Sequence, residues 1–225
     1  WLDALVQAAD EHPEAGAVGS RVFHFDGRLQ TAGMILWQDG ATSPPWTGEP
    51  PAPSAFDSRR AVDYCGSSSL LVRAATWDAI GGLDERLYPA YFVDVDLAMA
   101  VRELGQTVLY EPASSVRHHR GASTDRRFQS FVGARNRVTF VAKWERQLAH
   151  HEPRTEPLAA AVARAIARAE ADGARRQAAF VPRTAPPRLE LDTEAQEARH
   201  RELDRALHLA YAAHQAAEEA AVSRP

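Results

Sequence analysis

The stretch Gly81-Gly82-Leu83-Asp84-Glu85-Arg86-Leu87-Tyr88-Pro89-Ala90-Tyr91-Phe92-Val93-Asp94-Val95-Asp96-Leu97 decides how this chain is read. Its two glycines allow a sharp change of direction, because a residue without a Cβ reaches positive φ at little cost. Behind Asp94, the residues Leu97, Val101 and Leu104 recur at helical spacing, and Gly105 stands where a C′ glycine stops a helix. The pattern predicts a helix with Asp94 at its N-cap. A carboxylate in that place is fixed in direction and close to whatever binds in front of the helix, which suits a catalytic base. As a plain cap it would stabilise the helix by about 1 kcal/mol and do nothing else. Asp96 falls in the first turn, where the macrodipole favours negative charge. Asp84 suits an Asx turn closing on its own backbone, or a hydrogen bond to a bound hydroxyl.

Upstream, Leu2 to Ala9 reads as the end of a helix, Ala17 to Phe25 as an alternating strand with a turn at Asp26-Gly27, and Met34 to Trp37 as a short strand. Ser43 to Ser54 is rich in proline and reads as a loop, with Trp46 either pinning it to the body or offering a stacking platform. Val62 to Val72 reads as a buried strand. Its small residues, Gly66, Ser67 and Ser68, allow the close approach of a ligand or of another part of the backbone. Ala74 to Ile80 reads as a short helix ending at Gly81, and Val108 to Tyr110 as a strand closed by Pro112. The character of the chain changes near residue 150. An Ala-rich helix follows with Leu158, Val162, Ile166 and Ala169 on one stripe, then a Pro-rich linker over Val181 to Pro187. A second helix, Asp192 to Val222, places Leu203, Leu207, Ala210 and Ala217 on one side. The expected organisation is α/β over residues 1–150 with a helical extension over 151–225.

With 225 residues, 45% of them hydrophobic, the chain can bury a real core. A net charge of -4 with only short basic clusters argues against a nucleic-acid partner. No apolar run approaches the roughly 20 residues that span a bilayer. The single Cys65 cannot form an internal disulfide and suits a reducing compartment, so the expected location is cytoplasmic or cytoplasm-facing.

The central stretch resembles the acceptor-side half of family 2 glycosyltransferases of the GT-A type, and several flanking pieces are similar in family order. These are Trp1-Leu2-Asp3-Ala4-Leu5, Gly16-Ala17-Val18-Gly19, Gln30-Thr31-Ala32-Gly33 and Asp63 to Arg73. After the central stretch come Leu109-Tyr110-Glu111-Pro112, His118-His119-Arg120-Gly121-Ala122-Ser123 and Arg135-Asn136-Arg137, with Phe140 and Lys143-Trp144. The resemblance implies a partial GT-A domain with a mixed sheet. It also implies that the chain is a fragment, because the family's nucleotide-binding half would precede Trp1.

By that resemblance the function is inverting transfer of a sugar from a nucleotide-sugar donor to a glycan or lipid-linked acceptor, with peripheral membrane association. A divalent metal, manganese or magnesium, would be bound mostly by the upstream half. Asp94 matches the family's base, which usually follows an acidic residue. Here Val93 stands in that place, and losing the neighbouring carboxylate is expected either to lower the base's pKa or to loosen acceptor binding. His118 matches a histidine that completes the metal site or touches the diphosphate. Asp84, Asp96, Gly66, Ser67, Arg135 and Arg137 are expected to contact substrate, the arginines as bidentate donors or as surface salt bridges. A glycoside hydrolase could also use paired carboxylates but would not need the ordered flanking pieces. A Rossmann dehydrogenase would need a Gly-x-Gly-x-x-Gly run after a strand, which is missing. A non-catalytic module binding a sugar or sugar-nucleotide remains the alternative.

Overall fold

A computed structural model describes residues 1–119, 125–182 and 193–222. The architecture is α/β, built on a mixed sheet. Strand β1 (Ala15–Phe23) runs parallel to β7 (Thr107–Arg117) along its whole length. The other edge of β1 carries two antiparallel neighbours in succession, β6 (Leu70–Val72) beside Ala17–Gly19 and β2 (Leu29–Thr31) beside Val22 and Phe23. Strand β5 (Arg60–Ala61) closes the sheet antiparallel to β7, and β3 (Ile35–Leu36) with β4 (Thr42–Ser43) forms a separate hairpin.

Alternation of side chains across the sheet makes two cores. On one face α1 (Leu2–Glu11) sets Leu5, Ala8 and Ala9 against Val18 and Leu109. On the other, α3 (Val93–Glu103) and α4 (Arg126–Leu148) bring Val95, Met99, Val101, Phe140 and Trp144 onto Ala17, Val108 and Tyr110. Gly19 permits this packing, since a Cβ there would meet Cys65 Cβ at 2.1 Å.

Helix α2 (Ala74–Ile80) ends at Gly81 with φ 82°, as its sequence predicts, and Gly105 follows α3 with φ 79°. Trp46 packs its ring against Phe56, the pinning role rather than an open platform. Other expectations need correction. Val62–Val72 is not one strand: only its end, Leu70–Val72, is strand and pairs with β1, while β5 stops just before it at Ala61 on β7, and the chain crosses over through a 3-10 turn at Ser67–Ser69. Strand β7 does not stop at Pro112. Its register jumps there, with Glu111 opposite Ser20 but Ser115 opposite Arg21, so the proline occupies a bulge where no ladder donor is needed.

Helix α5 (Leu158–Ala179) buries Ala161, Val162, Ala165 and Ala169 and lies against β5 and the β3–β4 hairpin. A Cβ on Gly173 would come within 2.2 Å of Ala61 Cβ, so the helix rests almost on the strand. Helix α6 (Thr193–Val222) buries Leu207, while Ala210 and Ala217, expected on the same stripe, are exposed. The segments 120–124 and 183–192 lie outside the described residues, and with them Arg120 to Ser123 and most of the Pro-rich linker. Among the described residues no helix is long and apolar enough to cross a membrane.

Candidate active site

The stretch from Gly81 to Asp94 wraps around the N-terminus of α3. Asp84 caps a 3-10 turn at Glu85–Leu87, accepting from Arg86 N at 3.1 Å, which is the local Asx role. Its carboxylate also takes Arg86 Nη2 at 2.6 Å and Lys143 Nζ at 2.8 Å, and these cations hold its carboxyl well below the usual range. Tyr91 and Phe92 then adopt left-handed backbone, φ 66° and 67°. For bulky side chains this costs on the order of 1–3 kcal/mol each and persists only where the surroundings over-determine it.

Those surroundings come from α4. Asn136, wholly buried, donates through Nδ2 to the carbonyls of Leu87 at 2.6 Å, Ala90 at 2.8 Å and Tyr91 at 3.0 Å. Arg135 donates to Tyr88 O and to Asn136 Oδ1. Phe92 packs on Phe140, one turn further along the helix. Buried residues on α4 recur as Val132, Asn136, Phe140, Trp144 and Leu148. An amide set into an apolar stripe at i, i+4 spacing is the sequence signal that could have identified Asn136 as a clamp.

Phe92, not Asp94, is the N-cap of α3, so Asp94 belongs to the first turn. Its Oδ1 accepts from Val95 N at 2.9 Å and its Oδ2 from Ser67 N at 3.3 Å. Gly66 lies beside it, where an added Cβ would stand 3.8 Å from Oδ2. Burial pushes the Asp94 carboxyl above its ordinary 3.8, opposed by the Ser67 and Val95 N–H groups.

Gly66, Ser67 and Asp94 are thus brought together, while the remaining residues singled out by sequence have other partners. Asp96 is buried, accepting from Trp144 Nε1 at 2.7 Å and Lys143 Nζ at 2.9 Å, so Lys143 ties α3, α4 and Asp84 into one network. These bonds engage both oxygens of Asp96. Arg137 donates to Asp39 O, the carbonyl of a surface turn. His118 directly follows β7, where its N–H donates to Phe23 O and its Nδ1 lies 2.9 Å from Gln30 Oε1. Beside it, a cavity of about 260 Å³ opens at the carboxyl ends of the parallel strands β1 and β7, lined by Phe23, Gly27, Ser115, Val116 and Arg117. Open α/β sheets bind ligands at such strand ends. Among the described residues no three His, Cys, Asp or Glu side chains cluster as a metal site, so these residues do not by themselves fit a divalent ion.

Over 151 residues, 62% of this chain, the sequence is 32% identical to the N-acetylglucosaminyl-diphospho-decaprenol L-rhamnosyltransferase of Mycobacterium tuberculosis (strain ATCC 25618 / H37Rv). The chain is related to glycosyltransferases. It spans about half the length of that relative, 49%. A further match, 29% identical over 128 residues, is the O-antigen biosynthesis protein RfbC of Myxococcus xanthus, covering 55% of this chain and 10% of that protein. No family model matches the chain. These relationships agree with the family resemblance carried by the central stretch and its flanking pieces.

Proposed function

We propose that this chain is the acceptor-side part of an inverting GT-A glycosyltransferase, with Asp94 as its general base. The observation that carries the reading is the state of that carboxylate. It is half-buried, oriented by two backbone N–H groups, and set in the first turn of α3 directly after a strained loop that Asn136 clamps from behind. A raised pKa makes the carboxylate, once ionised, a stronger proton acceptor. In the reaction, an acceptor hydroxyl gives its proton to Asp94 as its oxygen forms a bond to the anomeric carbon. The opposite bond, to the nucleotide diphosphate, breaks, and its electron pair leaves with the diphosphate.

Gly66 and Ser67 form the wall beside the carboxylate, and the lack of a side chain at Gly66 keeps the approach to Oδ2 open. The name of the rhamnosyltransferase relative supports a lipid-linked acceptor, and that of the O-antigen biosynthesis protein supports a polysaccharide as product. Dependence on a nucleotide-sugar and a cytoplasm-facing location belong to the same proposal. A divalent ion would neutralise the leaving diphosphate. If such an ion is bound, His118 would be the residue of this chain to contribute a ligand, with the others supplied by the upstream half.

The test uses a protein carrying the upstream half as well as this chain, assayed for sugar transfer against its Asp94→Asn variant. The expected result is a kcat lower by about 10²–10⁴-fold with donor KM retained. Turnover requires the ionised carboxylate, so the acid limb of the wild-type kcat profile should lie above the ordinary 3.8. Unchanged turnover in the variant removes Asp94 from the chemistry. No turnover in either protein favours a non-catalytic module that binds sugar or sugar-nucleotide.

A further inference from the structure

Helix α6 lies against the outside of the loop that leads into Asp94. Tyr88 Oη donates to Asp204 Oδ1 at 2.7 Å, across 116 residues of sequence, and the Tyr88 ring stacks on His200 at 5.9 Å. Arg199 Nε donates to Glu85 Oε2 at 2.8 Å. Further along, Tyr211 meets Phe128 and Phe131 of α4 at 5.1 and 5.3 Å, and Leu207 is buried. The loop is therefore gripped from two sides. From inside, Asn136 and Arg135 take its carbonyls. From outside, α6 takes the side chains of Glu85 and Tyr88.

We propose that α6 is a strap whose docking holds residues 85–91 in the conformation that aims Asp94, which makes Asp204 and Arg199 positioning residues. Inside, Leu87 is buried and Arg86 pairs with Asp84, but the side chains of Glu85 and Tyr88 are held by α6, and the left-handed Tyr91 and Phe92 lie a few residues further on. Strain of that kind needs restraint on every side. The polar attachments of the strap are exposed, so salt weakens them and the helix can be released while the core stays folded. The effect on turnover rests on the reading of Asp94 as base, whereas the ordering of the loop does not.

Hydrogen–deuterium exchange on the full chain tests this with two variants, Leu207→Glu and the double substitution Arg199→Ala with Asp204→Asn. The amides of Leu87 and Tyr88, bonded to Asp84 O and Glu85 O, should exchange about tenfold faster in both, with β1 unchanged, as expected for a local opening. If exchange in Leu207→Glu also rises in β1, the fold itself is damaged and the double variant decides. Unchanged exchange over residues 85–91 in the double variant overturns the proposal. In the longer protein the double variant should lower kcat several-fold with donor KM unchanged. Should Asp94→Asn leave turnover intact while the exchange result holds, the base assignment fails and the strap stands.

Discussion

Helices α5 and α6 are both long, Ala-rich and C-terminal, yet they are attached by opposite means. Helix α5 brings small residues down onto the sheet and is keyed by a buried charge. Asp63, 1% exposed, receives Arg168 Nη2 at 2.5 Å and Leu36 N at 2.9 Å, while Arg102 donates to the carbonyls of Val62 and Asp63. Helix α6 rests on aromatic edges and exposed ion pairs, with Leu207 as its buried anchor. Composition does not distinguish the two helices. What differs is the partner each meets: a buried carboxylate beside a small-residue contact in one case, and a loop rim in the other.

The largest expected effect comes from breaking the key of α5. Asp63→Ala would leave Arg102 and Arg168 facing each other without their anion, and removing one partner from a buried ionic group typically costs about 3–5 kcal/mol. Chemical denaturation should show that loss. A loss below about 1 kcal/mol would mean that apolar packing alone seats the helix.

His151 reports on the same region through pH. Burial lowers its pKa from 6.5 to about 4; Asp63 opposes that shift, while Arg168 and Arg102 add to it. Between those values the unfolded chain binds a proton that the folded chain refuses, so the stability contribution is complete above pH 6.5 and declines as pH falls toward 4. His151→Gln should flatten that part of the stability profile. A profile that keeps its slope in the variant would place the titrating group elsewhere.

Sequence made some of this visible and hid the rest for physical reasons. Helices with a glycine stop were legible, because Gly81 and Gly105 carry positive φ that other residues avoid. The start of α3 was not, since the turn into it uses Tyr91 and Phe92 in a conformation no propensity predicts, held by a residue 45 positions away. Val62 to Val72 has the composition of one buried strand, but only Leu70–Val72 finds a ladder partner, in β1, and that pairing is a tertiary fact. At the site, Asp94 with Gly66 and Ser67 could be named from residue type and family order. Arg135 could be named too, but its role could not: its guanidinium turns to the backbone of the loop rather than outward. On α6 the expected stripe holds at Leu203 and Leu207, but Ala210 and Ala217 are exposed and the contact continues through Tyr211, whose ring meets Phe128 and Phe131.

The finest test of the comparison uses the same substitution on both helices. Arg168→Ala removes a charge-assisted bond to a buried carboxylate that keeps Arg102 as a second cation, so about 1.5–3 kcal/mol should be lost. Arg199→Ala removes an ion pair whose members are both solvated, and its melting temperature should match the wild type within error. If α6 is a strap, stability and local order separate at Arg199: the melt is unchanged while exchange over residues 85–91 rises. An equal drop in melting temperature for the two variants would instead make α6 part of the cooperative core. The contrast between the helices would then lie in exposure alone and not in what they hold.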